Sequence, residues 1–318
     1  STPMYYEPYR PRRRPSCLGR LFRIALILAI LWALLMLVTR LPLSINLPGG
    51  LSLDGLFLSG YTDVLLLGAD NEQGRGRTDS IMVASIGSGD IKLTSIMRDT
   101  LVNIEGYGKN KINAAYRFGG EQLAMRTVNQ AFGLNITKYA VIDFEGFSDL
   151  IDSIGGVSVN VTKAEMQEIN KGLDATWKRL GDGRPIDYLK SYGADTLLTG
   201  PQALAYSRIR KIDSDYMCAS RQRAVLEAMI GKLRATKNPV IYAKLMQTAF
   251  SAVDTNVNVF EMGLEAVKVL TGRLSLEQFR LPAEGAYTTG TVDGAWVNKP
   301  DLEKNRQLLK VFLNGSGS

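Results

Sequence analysis

Apolar runs of two lengths divide this chain. Ile24–Val38 is an unbroken uncharged stretch, whereas Val64-Leu65-Leu66-Leu67 is short, wholly apolar and closed by Gly68. The short run predicts a strand buried on both faces of a sheet. Ser80–Ile86 and Ile91–Ile96 flank Gly87-Ser88-Gly89-Asp90 and predict an antiparallel hairpin. Leu123, Val128, Ala131 and Phe132 recur at helical spacing over Glu121–Phe132, with Gly133 as the C-cap. Tyr139–Ile142 reads as a strand, Phe144–Ile154 as a helix stopped by Gly155-Gly156, and Val157, Val159 and Val161 alternate as in a strand. The glycines and polar residues of Gly106–Tyr116 predict a loop. Residues 165–195, polar and glycine-bearing with Trp177 as one anchor, predict an excursion of unassigned conformation. Thr199 or Gly200 can cap a helix that has Pro201 in its first turn. Arg221-Gln222-Arg223 opens a long helix, and further helices follow at about 238–250 and 260–271. From Arg280 to Leu313 the pattern is an edge strand, a Gly-rich turn and a closing helix.

The long run changes the picture from a soluble chain to an anchored one. With Leu21, Phe22 and Arg23 before it and Arg40 after it, it reaches the roughly 20 residues that cross a bilayer. No Ala-x-Ala site follows, so the run reads as an uncleaved anchor and not a signal peptide. Arginines 10, 12, 13, 14, 20 and 23 precede it, which keeps the N-terminus cytoplasmic and the rest outside. The expected organisation is a cytoplasmic basic tail (1–20), a transmembrane signal anchor (21–40), a linker with Pro42, Pro48, Gly49 and Gly50 (41–60), and an extracellular domain (61–318). The net charge of +7 follows the same division. Residues 1–40 hold seven arginines and one glutamate, and the remainder has 31 basic and 30 acidic side chains. A nearly neutral folded part argues against a nucleic-acid partner. Cys17 and Cys218 fall on opposite sides of the membrane and cannot pair within one chain.

The sequence contains no histidine. That excludes a Ser-His-Asp triad, a Cys-His pair and a histidine-ligated zinc site, and turns attention to carboxylates with a hard cation such as Mg²⁺ or Mn²⁺. Asp70 falls just past a strand's carboxyl end, where α/β sheets usually hold ligands. A hairpin over residues 80–96 brings its outer ends together, so Asp79 should lie near Arg98-Asp99. Ordinary salt bridges at strand ends produce the same grouping; what distinguishes this chain is the further arginines. If the chain is extended after the helix ending at Tyr206, Arg208 and Arg210 share a face, a geometry suited to clamping a diphosphate. Arg221 and Gln222 at a helix N-terminus would offer an anion site, against the plainer reading of solvated side chains on an amphipathic helix. Asp213 and Asp215 read as a turn. There is no Walker lysine loop and no dinucleotide glycine fingerprint.

Seven blocks in register resemble the LytR-CpsA-Psr family of cell-envelope phosphotransferases: Val64–Asp70, Arg77-Thr78-Asp79-Ser80, Ser95–Thr100, Lys111–Tyr116, Gly155-Gly156-Val157, Ala203–Arg210 and Arg221-Gln222. The resemblance implies a three-layer α/β/α fold with a central mixed sheet and a hydrophobic cavity for a polyprenyl tail. It implies transfer of a glycopolymer, such as teichoic acid or capsule, from a polyprenyl diphosphate carrier to peptidoglycan on the outer face of a mostly Gram-positive cell. Carried over by position, Asp70 and Asp79 match the Mg²⁺-associated aspartates, and Arg98, Arg208 and Arg210 match diphosphate-binding arginines, with Arg77, Lys111 and Gln222 as neighbours. Asp79 or Asp99 would orient or deprotonate the acceptor hydroxyl. The family pattern places a further arginine where this chain has Cys218, which implies weaker diphosphate binding, a different carrier, or recourse to Arg221 or Arg223 instead. Two other readings use the same residues: hydrolysis of polyprenyl diphosphate lipids, and a non-catalytic anchor or regulator that holds wall-polymer intermediates.

Overall fold

The computed structural model describes residues 61–70, 76–87, 90–180, 185–209, 215–236, 238–258, 261 and 275–314. The apolar run at 64–67 lies within β1 (Thr62–Ala69), followed by β2 (Thr78–Ile86), β3 (Asp90–Ile96), β4 (Leu101–Ile104), β5 (Gly108–Lys111) and α1 (Ala114–Phe132). Then come β6 (Lys138–Ile142), α2 (Phe144–Ser153), β7 (Val157–Val161), α3 (Lys163–Leu180), β8 (Gly193–Leu198), α4 (Gly200–Ser207), α5 (Asp215–Ala235) and α6 (Pro239–Ala252). The chain closes with β9 (Val253–Thr255), β10 (Ser275–Leu281), β11 (Tyr287–Val292), β12 (Ala295–Pro300) and α7 (Leu302–Asn314). The predicted tail, membrane span and linker, residues 1–60, lie outside the described residues, as does nearly all of the predicted helix at 260–271.

Six strands form a mixed sheet in the order β10-β3-β2-β1-β6-β9. As an inner strand, β1 is covered on both faces. Leu65 and Leu67, 0% and 2% exposed, pack with Leu123, Val128 and Phe132 of α1. Leu66 turns the other way, toward Ala84, Leu93 and the α5 residues Leu226 and Ile230. The predicted hairpin is present, with Met82 opposite Ser95 and Ile86 opposite Ile91. A second apolar cluster joins α2, α3, α4 and the β7–β8 pair to Val225 of α5.

Two expectations are corrected, and one segment left open is assigned. The expected loop at 106–116 contains a hairpin, β4 with β5, in which Leu101 faces Lys111 and Ile104 faces Gly108. Val102 and Ile104 bury one side of it, and Gly106 and Gly108 supply the positive φ values, 79° and 70°, of its tight turn. The unassigned excursion is largely α3, whose Ile169 and Leu173 are fully buried beside Met166 and Trp177. Its start is a capping box: Glu165 accepts the Thr162 amide at 2.8 Å, and Thr162 Oγ1 accepts the Glu165 amide at 3.2 Å. The C-terminal part gains an extra hairpin, β11 with β12, turning on Asp293-Gly294 at φ 49° and 76°. In α1, Gly119 and Gly120 depart from helical dihedrals, which is why the readable spacing begins only at residue 121.

Candidate active site

β1, β3, β6 and β10 point one way and β2 the other. One end of the sheet therefore gathers Asp70 after β1, Asp79 at the start of β2, Arg98-Asp99 after β3 and Asp143-Phe144 after β6. Backbone hydrogen bonds join these segments. The Asp70 amide donates to the Arg77 carbonyl at 3.3 Å, the Thr78 amide to Asn113 at 3.4 Å, and the Asn113 amide to Arg98 at 3.3 Å. From β12, the Asn298 amide donates to the Asp99 carbonyl at 3.0 Å. Gly76 passes so close to Asp70 that a Cβ there would lie 1.5 Å from its carbonyl oxygen, so a side chain at this position would force the strand ends apart.

Side chains complete the cluster. Arg98 Nη1 donates to Asp79 Oδ1 at 3.2 Å, and Arg98 Nε lies 3.6 Å from Asp99 Oδ2. Lys111 Nζ is 2.7 Å from Asp99 Oδ1, delivered by β5, which pairs with β4 just beyond that turn. Arg208, at the end of α4, places Nη2 3.9 Å from Asp79 Oδ2 and its guanidinium carbon 4.1 Å from the centre of the Phe144 ring. Asp79 thus stands between guanidiniums from two separate parts of the chain. These side chains are 13–32% exposed, open to a ligand but partly shielded from water. Arg98, Lys111 and Arg208 lie against Asp79 and Asp99, and Arg98 Nε is buried without a hydrogen-bond partner. A group of this kind retains attraction for an anion.

The predicted residues separate on this geometry. Asp79, Arg98, Asp99, Lys111 and Arg208 come together. Asp70 lies beside them at the end of β1, while Arg77 is exposed on the opposing segment. Arg210 and Asp213 lie outside the described residues. Asp215 is the first residue of α5 and not part of a turn. Arg208 is not extended: with φ −106° and ψ 2° it closes α4. Arg221 is corrected more deeply. The helix begins at Asp215, so Arg221 sits well inside α5 and is 2% exposed. Its Nε donates to Glu165 Oε1 at 2.8 Å and its Nη1 to the Ile209 carbonyl at 3.2 Å. Gln222 reaches the Ser207 carbonyl at 3.5 Å. Arg223 turns to Gln278 and Ser95 over the sheet, at 2.6 and 3.0 Å, and does not replace the missing arginine.

Two residues escaped the sequence reading. Phe144 carries no signal beyond its place after β6, but Glu165 was legible in the Thr162-x-x-Glu165 capping pattern. Beside the Glu165–Arg221 pair, burial raises the Tyr206 hydroxyl from 10.0 to about 12, with Glu165 adding to the shift and Arg221 opposing it.

Known proteins share this architecture. The structure of TagT bound to LI-WTA superposes with a TM-score of 0.64 at 26% identity, covering 80% of this chain and 90% of that one. The mixed α/β fold and central mixed sheet are common to both. Regulatory protein MsrR of Staphylococcus aureus is 31% identical over 268 residues, 80% of this chain and 75% of its own. The polyisoprenyl-teichoic acid–peptidoglycan teichoic acid transferase TagU of Enterococcus faecalis is 32% identical over 260 residues, 79% of each. The sequence pattern of the LytR_cpsA_psr family matches residues 58–311, four-fifths of the sequence. The chain belongs to the LytR_cpsA_psr family.

Proposed function

We propose that this chain transfers a glycopolymer from a polyprenyl diphosphate carrier to peptidoglycan. The observation that carries the reading is the bracketing of Asp79 by Arg98 and Arg208, at 3.2 and 3.9 Å, at the carboxyl end of a mixed sheet. Its relatives point the same way: TagU is named a teichoic acid transferase to peptidoglycan, and TagT is bound to LI-WTA.

In this reading the acceptor hydroxyl oxygen attacks the phosphorus that bears the glycan. A new P–O bond forms, the bond from that phosphorus to the bridging oxygen breaks, and polyprenyl phosphate leaves with the electron pair. The hydroxyl proton passes to a carboxylate, Asp79 or Asp99. Arg98, Arg208 and Arg210, with Lys111, Arg77 and Gln222 around them, hold the diphosphate and stabilise charge as it builds on the phosphoryl oxygens. Asp70 and Asp79, on adjoining strands, would hold Mg²⁺ or Mn²⁺. Among the described residues no three His, Cys, Asp or Glu side chains form a closed metal site. Two carboxylates nevertheless suit an ion that takes its remaining ligands from water and substrate phosphates. Such an ion supplies further positive charge against the phosphates.

The proposal extends to the rest of the chain. Residues 21–40 cross the membrane with the N-terminus cytoplasmic, residues 41–60 link, and residues 61–318 work outside. Packing of α1 against one face of β1 and of α5 against the other supports an α/β/α layering.

The test incubates the full chain in detergent with a polyprenyl-diphosphate disaccharide and peptidoglycan fragments, with Mg²⁺ or with a chelator. Phosphodiester-linked glycan, lost on chelation, is the expected result. Release of polyprenyl phosphate without linkage would replace transfer by hydrolysis. Binding without turnover would favour a regulator that holds the intermediate, in keeping with the name of MsrR.

A further inference from the structure

Three side chains of α5 converge on the end of α4. Cys218, Arg221 and Gln222, spaced i, i+3 and i+4, lie on one helix face. Cys218 Sγ lies 3.4 Å from the Ser207 carbonyl oxygen and Gln222 Nε2 3.5 Å from the same atom, while Arg221 Nη1 donates to the Ile209 carbonyl at 3.2 Å. The residue between those two carbonyls is Arg208. Carbonyls at a helix C-terminus lack intrahelical partners, so donors from a neighbouring helix fix the direction in which the chain leaves.

Arg221 is itself held. Glu165 Oε1 accepts its Nε at 2.8 Å, and Glu165 Oε2 accepts both the Thr162 amide and hydroxyl, at 2.8 and 2.9 Å. The side chains of this pair are 3% and 10% exposed. A buried ion pair is generally no more stabilising than well-packed apolar residues of the same volume, so stability alone does not account for its charge. A fixed donor aimed at the Ile209 carbonyl does.

We propose that Glu165, Arg221 and Cys218 are positioning residues that never touch substrate: through the Ser207 and Ile209 carbonyls they aim Arg208 across Phe144 toward Asp79. The inference rests on the diphosphate reading above, and it gives Cys218 a task. Where the family resemblance places a cation for the phosphate, this chain has a buried thiol on the backbone that carries Arg208.

The test is calorimetric titration of farnesyl diphosphate, with Mg²⁺, into the full chain in detergent, alongside the thermal midpoint of each variant. Arg221→Lys keeps a cation for Glu165 but cannot also reach the Ile209 carbonyl. It should weaken binding about tenfold while lowering the midpoint far less than removal of the Glu165 charge partner would. Cys218→Ala should weaken binding about threefold and Cys218→Ser restore it, since a hydroxyl keeps the donor to Ser207. Both losses should vanish in an Arg208→Ala background, because the clamp acts only through that guanidinium. A merely structural role would move the midpoint and persist without Arg208. Wild-type binding that Arg221→Lys and Cys218→Ala leave intact, or losses that persist in Arg208→Ala, would overturn the positioning role alone. A wild-type chain that binds no prenyl diphosphate would overturn the functional reading, and the positioning role with it.

Discussion

Two groups of opposite charges meet at Arg208, one reaching the backbone beside it and the other including its guanidinium, and they are built differently. In the Glu165–Arg221 pair one carboxylate oxygen takes the guanidinium, the other takes two donors from Thr162, and the pair is nearly sealed from water. In the Asp79–Arg98–Asp99–Lys111–Arg208 group the contacts run from 2.7 to 3.9 Å, the side chains stay partly exposed, and Arg98 Nε is left without a hydrogen bond. Like residue types therefore carry opposite meanings. Charges paired out of water fix the backbone around them, and charges that stay partly open to solvent can exchange partners for a ligand. Sequence position alone put Arg221 in the second class, and its burial puts it in the first.

Substitutions can break this contrast. The largest effect is expected from Arg221→Met, which strands the Glu165 carboxylate in the interior. Urea unfolding should reveal a loss of about 3–5 kcal/mol. Arg98→Ala should instead cost about 100- to 1000-fold in transfer rate, the scale for removing one transition-state donor. The same urea experiment on that variant should move by less than about 1 kcal/mol, as for a partly exposed pair. Phe144→Leu removes the ring beneath Arg208 and should raise the KM for the lipid diphosphate about threefold, the weight of one cation–π contact.

The smallest effect concerns Tyr206. Its hydroxyl, raised by burial from 10.0 to about 12, binds its proton more tightly in the folded chain. That contribution is fully present below pH 10 and is lost as the pH rises through 12. Tyr206→Phe should lessen the fall in stability between pH 10 and 12, read by urea unfolding at each pH.

What the sequence disclosed follows a physical division. β1 and the hairpin of β2 and β3 were legible because their side chains are buried without interruption or alternate cleanly, and the hairpin register alone put Asp79 beside Arg98. α3 was not, because the polar residues and glycine between Ile169, Leu173 and Trp177 hide an apolar stripe that only packing against α4 and β7 makes plain. The β4–β5 hairpin was obscured by the glycines its turn requires. In the candidate site, residues one hairpin apart were foreseen together. The Arg208–Phe144 stack and the Arg221–Glu165 pair span 64 and 56 positions and depend on how α4 and α5 dock, which no local pattern encodes.

The measurement that bears most directly on the account is the rate of phosphodiester-linked glycan formation by the full chain, wild type against Arg98→Ala, with polyprenyl-diphosphate disaccharide, peptidoglycan fragments and Mg²⁺. Linked product is expected from the wild type, with a loss of about 100-fold or more in a variant that still unfolds at the wild-type midpoint. Undiminished linkage by a folded Arg98→Ala chain would contradict it.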